Sequence, residues 1–384
     1  MQKDFHYYAT YCAAYIAGFS HEESLDICYS AQFVDWCSAT LLRKIKGPVA
    51  AATTQLQLEL MDARTDRVGL QDITRIWSSF HFLPYNLKAT RPKAPKSYQD
   101  KYRLICNPNG SLLVETVKLA KDKSLQAIGI AMHVLADTWA HRYFAGTPSY
   151  AINNTNYHFF EVFPDGSEKE MIFKSKPGAE DDLDGGVYIN SLFQFSDTSI
   201  MNLGHGRAGH LPDYSFIRYR YLPAWGDYEE IFKDNPHDYH KAFTQMIYAM
   251  KYLKGIIPDF KKDTYDTEAI APWEDRINEI LCKRQLDSCA DWKAFGESLS
   301  GREIPDFDMD QYQEEYRKAD KASKDDTYIG KFVNAALAQK SMVTNRIYKS
   351  GNKLAGISVD YNSIGFKGQR DYLKLAKLKK NRKE

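Results

Sequence analysis

The stretch "LQAIGIAMHVLADTWAHRYF", residues 125–144, decides the fold, because it places ionisable side chains on an otherwise apolar helix. His133, Asp137 and His141 follow at intervals of four residues, so their side chains form one stripe over two helical turns. The apolar residues around them predict that this helix is buried. An unpaired carboxylate there would cost several kcal/mol or become protonated. Because zinc binds both imidazole and carboxylate, the stripe favours a metal site over a core His–Asp hydrogen bond beside an unrelated surface histidine.

The composition describes a folded globular chain. Its 384 residues are 43% hydrophobic, enough for one large core or two domains. The net charge of +1 does not attract nucleic acid or anionic membrane to the molecule as a whole. The start, "MQKDFHYYATYCAAY", lacks the pattern of a secretory signal, and no stretch approaches a membrane span, so we expect a cytoplasmic protein without a transmembrane segment. The six cysteines form no C-x-x-C pair and are expected to be reduced core residues.

The remaining pattern predicts a mainly α fold, a multi-helix bundle with a metal cluster in its core. The first helix should run from Asp4 to Gly18. The second should begin with a capping box of Ser20 and Glu23 and continue through "SLDICYSAQFVDWCSATLL", which places Asp35 on its core-facing stripe. Further helices are expected over residues 50–76, 111–122 and 237–256, followed by several more to about residue 345.

Composition also divides the chain into regions. Residues 146–200 are rich in Gly, Asp and Lys and predict a loop-rich or small β insertion. We expect a helical metal-binding domain over 1–258 and a C-terminal helical extension packed on it over 259–345. Residues 346–384 should form a basic tail, which offers contact with an anionic surface.

Histidines and aspartates outside the central stripe complete a candidate metal cluster. The proposed ligands are His6, Asp35, His81, His133, Asp137, His141, His205, His210 and Asp213. They exceed what one tetrahedral zinc needs, so we expect two or three Zn²⁺ ions, or other divalent metals, that share carboxylates. Closely spaced metals activate water and stabilise the oxygens of a displacement at phosphorus, which favours a hydrolase of phosphate esters.

The order of these residues resembles the zinc-dependent phospholipase C and single-strand nuclease superfamily, which are all-helical trinuclear zinc phosphoesterases. The resemblance covers about residues 1–255. It also extends, through "DFHYY", "HVLADTWAH" and "GHGRAGHLPD", to an uncharacterised bacterial family related to that superfamily. It implies that Asp137 bridges two ions and that Asp35 binds metal and orients or deprotonates the attacking water. The secreted relatives use the amine of an N-terminal tryptophan as a ligand, whereas this chain begins "MQKD", which leaves Asp4 as a substitute.

The sequence leaves several interpretations of the site and of the function open. His205 and His210, in the loop "GHGRAGH", compete for one ligand role, and Arg207 between them is either a clamp for a phosphoryl oxygen or a surface side chain. Asp35, Asp137 and Arg207 are the candidate catalytic residues. The substrate is a phosphoester of a lipid, a nucleic acid or a small molecule. The alternative is a non-catalytic helical protein, a metal staple, in which bound metal only stabilises the fold and which has a binding or interaction role. The pair His237 and His240 is expected at a helix start rather than in the cluster.

Overall fold

The fold is known from a computed structural model. It describes residues 1–63, 67–90, 99, 101–147, 150–153, 159–175, 179–190, 204–223 and 230–352. The described chain is mainly helical with one small mixed sheet, as the sequence predicts. The helices are α1 (Thr10–Ile16), α2 (His21–Phe33), α3 (Ala39–Lys44), α4 (Gln57–Ala63), α5 (Arg67–Phe80), α6 (Ser111–Leu119), α7 (Leu125–Ala140), α8 (Tyr150–Asn153), α9 (His205–Ala208), α10 (Asn235–Lys254), α11 (Glu274–Cys282), α12 (Cys289–Ser300), α13 (Asp310–Lys318) and α14 (Tyr328–Lys349).

Helix α7, the helix of the central stripe, lies in the middle of the bundle. Ser124 caps its first turn by accepting a hydrogen bond from the backbone N–H of Ala127, and every residue from Gln126 to Ala140 is buried. The helices α2, α10 and α14 pack around it. Gly129 allows α2 to approach α7 closely, because a methyl group in its place would meet the backbone of α2 at Ile27 and Ala31. The predicted burial of this helix is confirmed.

The N-terminal helices follow the sequence prediction with one correction. The residues Asp4–Ala9 form a wider π-helical turn that continues into α1, and the chain turns at Gly18. Both hydrogen bonds of the predicted capping box form at the start of α2. The prediction that α2 continues to residue 42 is wrong, because it ends at Phe33 and α3 begins after a turn. Asp35 therefore lies in the turn and not on a helical stripe.

The small sheet is the predicted β insertion, but it extends further along the chain. Its strands are β1 (Phe159–Val162), β2 (Glu168–Ser175), β3 (Val187–Asn190), β4 (Arg218–Tyr221) and β5 (Ile231–Asp234), in the order β3-β2-β1-β4-β5. Only β2 and β3 are parallel. The expected insertion stopped at residue 200. The two later strands lie outside it because each has only four residues, too short a run for an alternating pattern to stand out.

The C-terminal helices pack on the same core as the N-terminal ones. One cluster of buried apolar side chains contains residues from Met1 to Ile347, and Trp292 of α12 contacts the ring of Phe5 edge-on. The domain boundary near residue 258 stays a prediction. The expected basic tail, residues 346–384, begins later than predicted because residues 346–349 form the last turn of α14, and its part from residue 353 onward lies outside the described residues. Among the helices that are described, none has the length and apolarity to cross a membrane.

Candidate metal centre

The predicted ligands come from five separate parts of the chain. His6 lies on the π-helical turn, Asp35 in the turn after α2, and His81 directly after α5. The other six occupy α7, its C-cap and the segment of α9 with the 3₁₀ turn Leu211–Asp213. The structure brings these residues together in three groups with donor atoms within 4.8 Å of one another: His6, His133 and Asp137; Asp35, His81 and His133; and His141, His205 and Asp213.

The first position, which we call the inner position, lies between Asp35, His81, His133 and Asp137. Asp137 Oδ2 is 3.1 Å from His81 Nδ1 and 3.2 Å from His133 Nε2. The two ring nitrogens are 3.3 Å apart, and Asp35 Oδ1 is 3.8 Å from each of them. Four donors around a zinc ion at tetrahedral distances are separated by about 3.4 Å. Five separations among these four atoms, from 3.1 to 3.8 Å, are thus close to those around one tetrahedral ion.

Hydrogen bonds on the outer side of the rings orient their inner nitrogens. His133 Nδ1 is 2.9 Å from the carbonyl oxygen of Ala31, and His81 Nε2 is 3.0 Å from that of Thr53. A neutral imidazole has one N–H, and the carbonyls accept it. Both inner nitrogens then present lone pairs to Asp137 Oδ2, with no hydrogen between the three atoms. A cation among the three atoms would offset the repulsion between their lone pairs. Histidine ligands of metals are typically held by such outer hydrogen bonds.

The second position, which we call the outer position, lies on the other side of Asp137. His141 Nε2 is 3.4 Å and His205 Nε2 is 3.3 Å from Asp213 Oδ1. The amino nitrogen of Met1 lies among these groups, 2.9 Å from Asp137 Oδ1 and 3.2 Å from Asp213 Oδ1. Asp137 Oδ2 thus faces the donors of the inner position, whereas its Oδ1 faces the Met1 amine, which lies beside Asp213 of the outer position.

His6 completes the cluster from the N-terminal side. Its Nε2 is 3.1 Å from Asp137 Oδ1, and its ring stacks on that of His133 with a centroid distance of 3.8 Å. The side chain is fully buried, and its Nδ1 has no hydrogen-bond partner among the residues that the structure describes. His6 is therefore held to the cluster by Asp137 and by ring stacking.

The pKa values in the cluster favour the protonation states that bind metal. Burial lowers the pKa of His6, His133 and His141 to about 4, so these imidazoles are neutral at neutral pH. Burial opposes the charge of Asp137, but His141 and the Met1 amino group outweigh it and hold the pKa of this carboxyl well below its usual range. Burial likewise opposes the charge of the Met1 amine, and Asp137 and Asp213 raise its pKa to about 11. Neutral imidazole and ionised carboxylate are the forms that bind metals.

These pKa values predict that acid destabilises the metal-free protein well above pH 4. The folded pKa of the three histidines is lowered to about 4, whereas unfolded histidines take up protons near pH 6.5. Above pH 6.5 neither state protonates these histidines, so they do not lower the free energy of unfolding. As the pH falls from 6.5 towards 4, the unfolded state binds protons that the folded state does not, and the free energy of unfolding decreases. At pH 5 each histidine should remove about 2 kcal/mol from the free energy of unfolding. Urea unfolding of chelator-treated protein at pH 7.5 and pH 5 measures this loss.

The exposed His237 provides the control for that experiment. It lies at the start of α10, away from the cluster, so His237→Ala should show the same loss of stability between the two pH values. An equal free energy of unfolding at pH 7.5 and pH 5 in the parent protein would contradict the prediction.

Comparison with known proteins places the chain in a family. The model of a family of unknown function, DUF6765, matches residues 1–347. The chain belongs to DUF6765. No curated protein matches it, and no solved structure does. The match covers every predicted ligand of this DUF6765 chain, whereas the resemblance to the phospholipase C and nuclease superfamily stays a prediction.

Other predicted residues of the DUF6765 chain have different surroundings. His210 Nδ1 is 3.5 Å from Asp213 Oδ2, and its side chain is 43% exposed, against 22% for His205. Arg207 is buried with its guanidinium 5.3 Å from the ring centroid of Phe173, and its role as a phosphate clamp stays a prediction. His237 and His240 lie in the first turns of α10 as expected, and His240 Nε2 is 2.8 Å from Glu274 Oε1.

Two contributors to the cluster were absent from the sequence prediction. Asp4, the expected substitute for a terminal amine, instead accepts a hydrogen bond from the backbone N–H of Phe5, and the Met1 amino group approaches the cluster. The carbonyls of Ala31 and Thr53 hold two histidine rings. Carbonyl groups carry no side-chain signal, so the sequence could not have revealed them.

Proposed function

We propose that the chain is a metal-dependent hydrolase of phosphate esters, with two or three zinc-like ions bound by the cluster. The observation that carries the proposal is the meeting of His81 Nδ1, His133 Nε2 and Asp137 Oδ2 within 3.3 Å, while the outer nitrogens of both rings face backbone carbonyls. When each ring carries a single N–H and donates it to its carbonyl, no hydrogen lies between these atoms, and a divalent cation would supply the missing attraction.

The exposure of the ligands supports catalysis over a purely structural role. The side chain of Asp35 at the inner position is 29% exposed, although those of His133 and Asp137 are at most 1% exposed. A structural zinc site is closed by four protein ligands, whereas a catalytic site keeps one position for water or substrate. Four donors would close the inner position, so the proposal requires that Asp35, the exposed and most distant of them, leaves one coordination position to water or substrate.

The residues of the chain take defined roles in the proposed hydrolysis. A bound metal ion would lower the pKa of a water molecule and would place positive charge near the phosphoryl oxygens. Asp137 holds the two positions at a fixed separation because each of its oxygens faces one of them. Asp35 is accessible from solvent and accepts the proton of the attacking water or orients that water. A phospholipid, a nucleic acid and a small phosphodiester all offer the group on which this chemistry acts.

A non-catalytic metal staple is the second candidate, since the burial of His6, His133 and Asp137 equals that of a protein core. Such a protein would bind metal with every position filled by protein. Catalytic turnover distinguishes it from the hydrolase, whereas metal content alone does not.

We expect protein purified without chelator to contain two or three divalent ions per chain, because the buried carboxylates need cations to offset their desolvation. Elemental analysis by mass spectrometry measures the ratio, and hydrolysis of bis(4-nitrophenyl) phosphate tests activity. Chelation should abolish hydrolysis, and added Zn²⁺ should restore it. A ratio near zero in folded protein would overturn the metal site, whereas full occupancy without hydrolysis of lipid, nucleic acid or the small diester would favour the staple.

A further inference from the structure

A buried lysine on α14 contacts the segment that holds one side of the inner position. The Lys340 residue is 4% exposed, and its Nζ donates hydrogen bonds to the carbonyl oxygens of Ala50, at 2.7 Å, and Ala52, at 2.5 Å. No described carboxylate lies within ion-pair distance of it, and its nearest ring is that of Phe80, with the centroid 5.8 Å away. Burying an ammonium group without a counter-ion is costly, so its two carbonyl contacts must compensate.

The two carbonyls belong to the segment that leads directly to Thr53. This residue is fixed to the turn that carries Asp35, because its N–H donates to the carbonyl of Cys37 at 2.9 Å and its hydroxyl to that of Val34 at 2.6 Å. Its own carbonyl oxygen is 3.0 Å from His81 Nε2. One short segment therefore contacts the turn of Asp35 and the outer nitrogen of His81.

We infer that Lys340 is a positioning residue for the inner metal position, which it supports by holding residues 50–53 against His81 and the turn of Asp35. This inference rests on the metal binding proposed above. Lys340 contacts none of the proposed ligands, and the segment that it holds contacts none of the donors of the outer position, so its effect should be confined to one of the two positions. Burial lowers the pKa of Lys340 to about 7, but a neutral amine still has two N–H groups for the two carbonyls.

The test compares Lys340→Met with Lys331→Met in the full-length protein. Lys331 lies on the same helix, is exposed, and makes no ion pair with a described carboxylate, so its variant controls for loss of a lysine from α14. Titration of metal-free protein with Co²⁺, followed by its visible absorption, resolves binding at the two positions. We expect Lys340→Met to weaken Co²⁺ binding at the inner position about 10- to 100-fold, the range typical when a group that orients a metal ligand is lost, and at the outer position less than about twofold. Lys340→Arg, which keeps N–H donors, should recover part of the loss.

A measurement without metal separates this inference from the proposed function. In metal-free parent protein, ¹⁵N spectra of the imidazole rings should show His81 protonated at Nε2, and Lys340→Met should give a mixture of ring tautomers. Unchanged His81 spectra together with equal Co²⁺ affinities in parent and variant overturn the positioning role. An equal loss at both positions, accompanied by a lower melting temperature, also overturns it and shows a merely structural lysine. Failure of the parent to bind Co²⁺ refutes the proposed function, while the His81 spectra still test the role of Lys340.

Discussion

Asp137→Asn is expected to remove metal from both positions at once and to lower kcat/KM for a phosphodiester by about 10³-fold or more. In the proposed site the carboxylate serves both positions, because its Oδ2 faces His81 and its Oδ1 faces the Met1 amine. Asparagine has nearly the same size, so packing in α7 should survive. It removes the negative charge and replaces one oxygen with an NH₂ group, which cannot bind a cation. Elemental analysis should therefore find less than one ion per chain.

Two histidine variants test the same ligand assignment, one at a proposed ligand and one outside the cluster. His133→Ala should release metal from the inner position with a similar loss of hydrolysis, because ligands that share an ion fail as a unit. His240→Ala should keep both metal and activity, since His240 pairs with Glu274 instead of the cluster. If Asp137→Asn retained two ions per chain, or if His240→Ala lost them, the ligand assignment would be wrong.

The sequence predicted the central helix and much of its chemistry because helical spacing is a local property. The four-residue intervals of His133, Asp137 and His141 place three side chains on one face in any regular helix, and the apolar neighbours determine that the face is buried. The capping box at Ser20 and Glu23 is equally local, and both of its hydrogen bonds form. Patterns of this kind need no knowledge of the rest of the fold.

Features that depend on distant contacts were not accessible in the same way. Asp35 was assigned to a helical stripe, but the helix ends at Phe33, where the turn to α3 is fixed by Thr53 from a later segment. The carbonyls that orient His81 and His133 come from residues whose side chains give no indication of this role. The contact between the Met1 amine and Asp137 joins groups separated by 136 residues, and spacing along the chain does not encode it.

Gly129→Ala should destabilise the protein and weaken metal binding through a single added methyl group. In α7 this methyl would lie 2.5 Å from Ser30 Cβ and 2.9 Å from the backbone nitrogen of Ala31, and it would also meet the carbonyl oxygen of Ile27. Two of these three atoms are backbone, so α2 must move away from α7. Alanine favours a helix over glycine by up to about 1 kcal/mol, but overpacking of a core costs about 1–3 kcal/mol, and backbone contacts place this site at the upper end.

The same displacement reaches the metal centre, because the carbonyl of Ala31 holds the ring of His133. We expect Gly129→Ala to lower the free energy of unfolding by about 2 kcal/mol and metal affinity at the inner position by about 10-fold. Urea unfolding and Co²⁺ titration measure the two effects. Adding Ser30→Gly removes one of the clashing atoms, so a double-mutant cycle should show favourable coupling of about 1 kcal/mol after the cost of Ser30→Gly alone is subtracted. Strictly additive effects, or an unchanged metal affinity in a destabilised protein, would show that a displacement of α2 from α7 does not alter the position of His133.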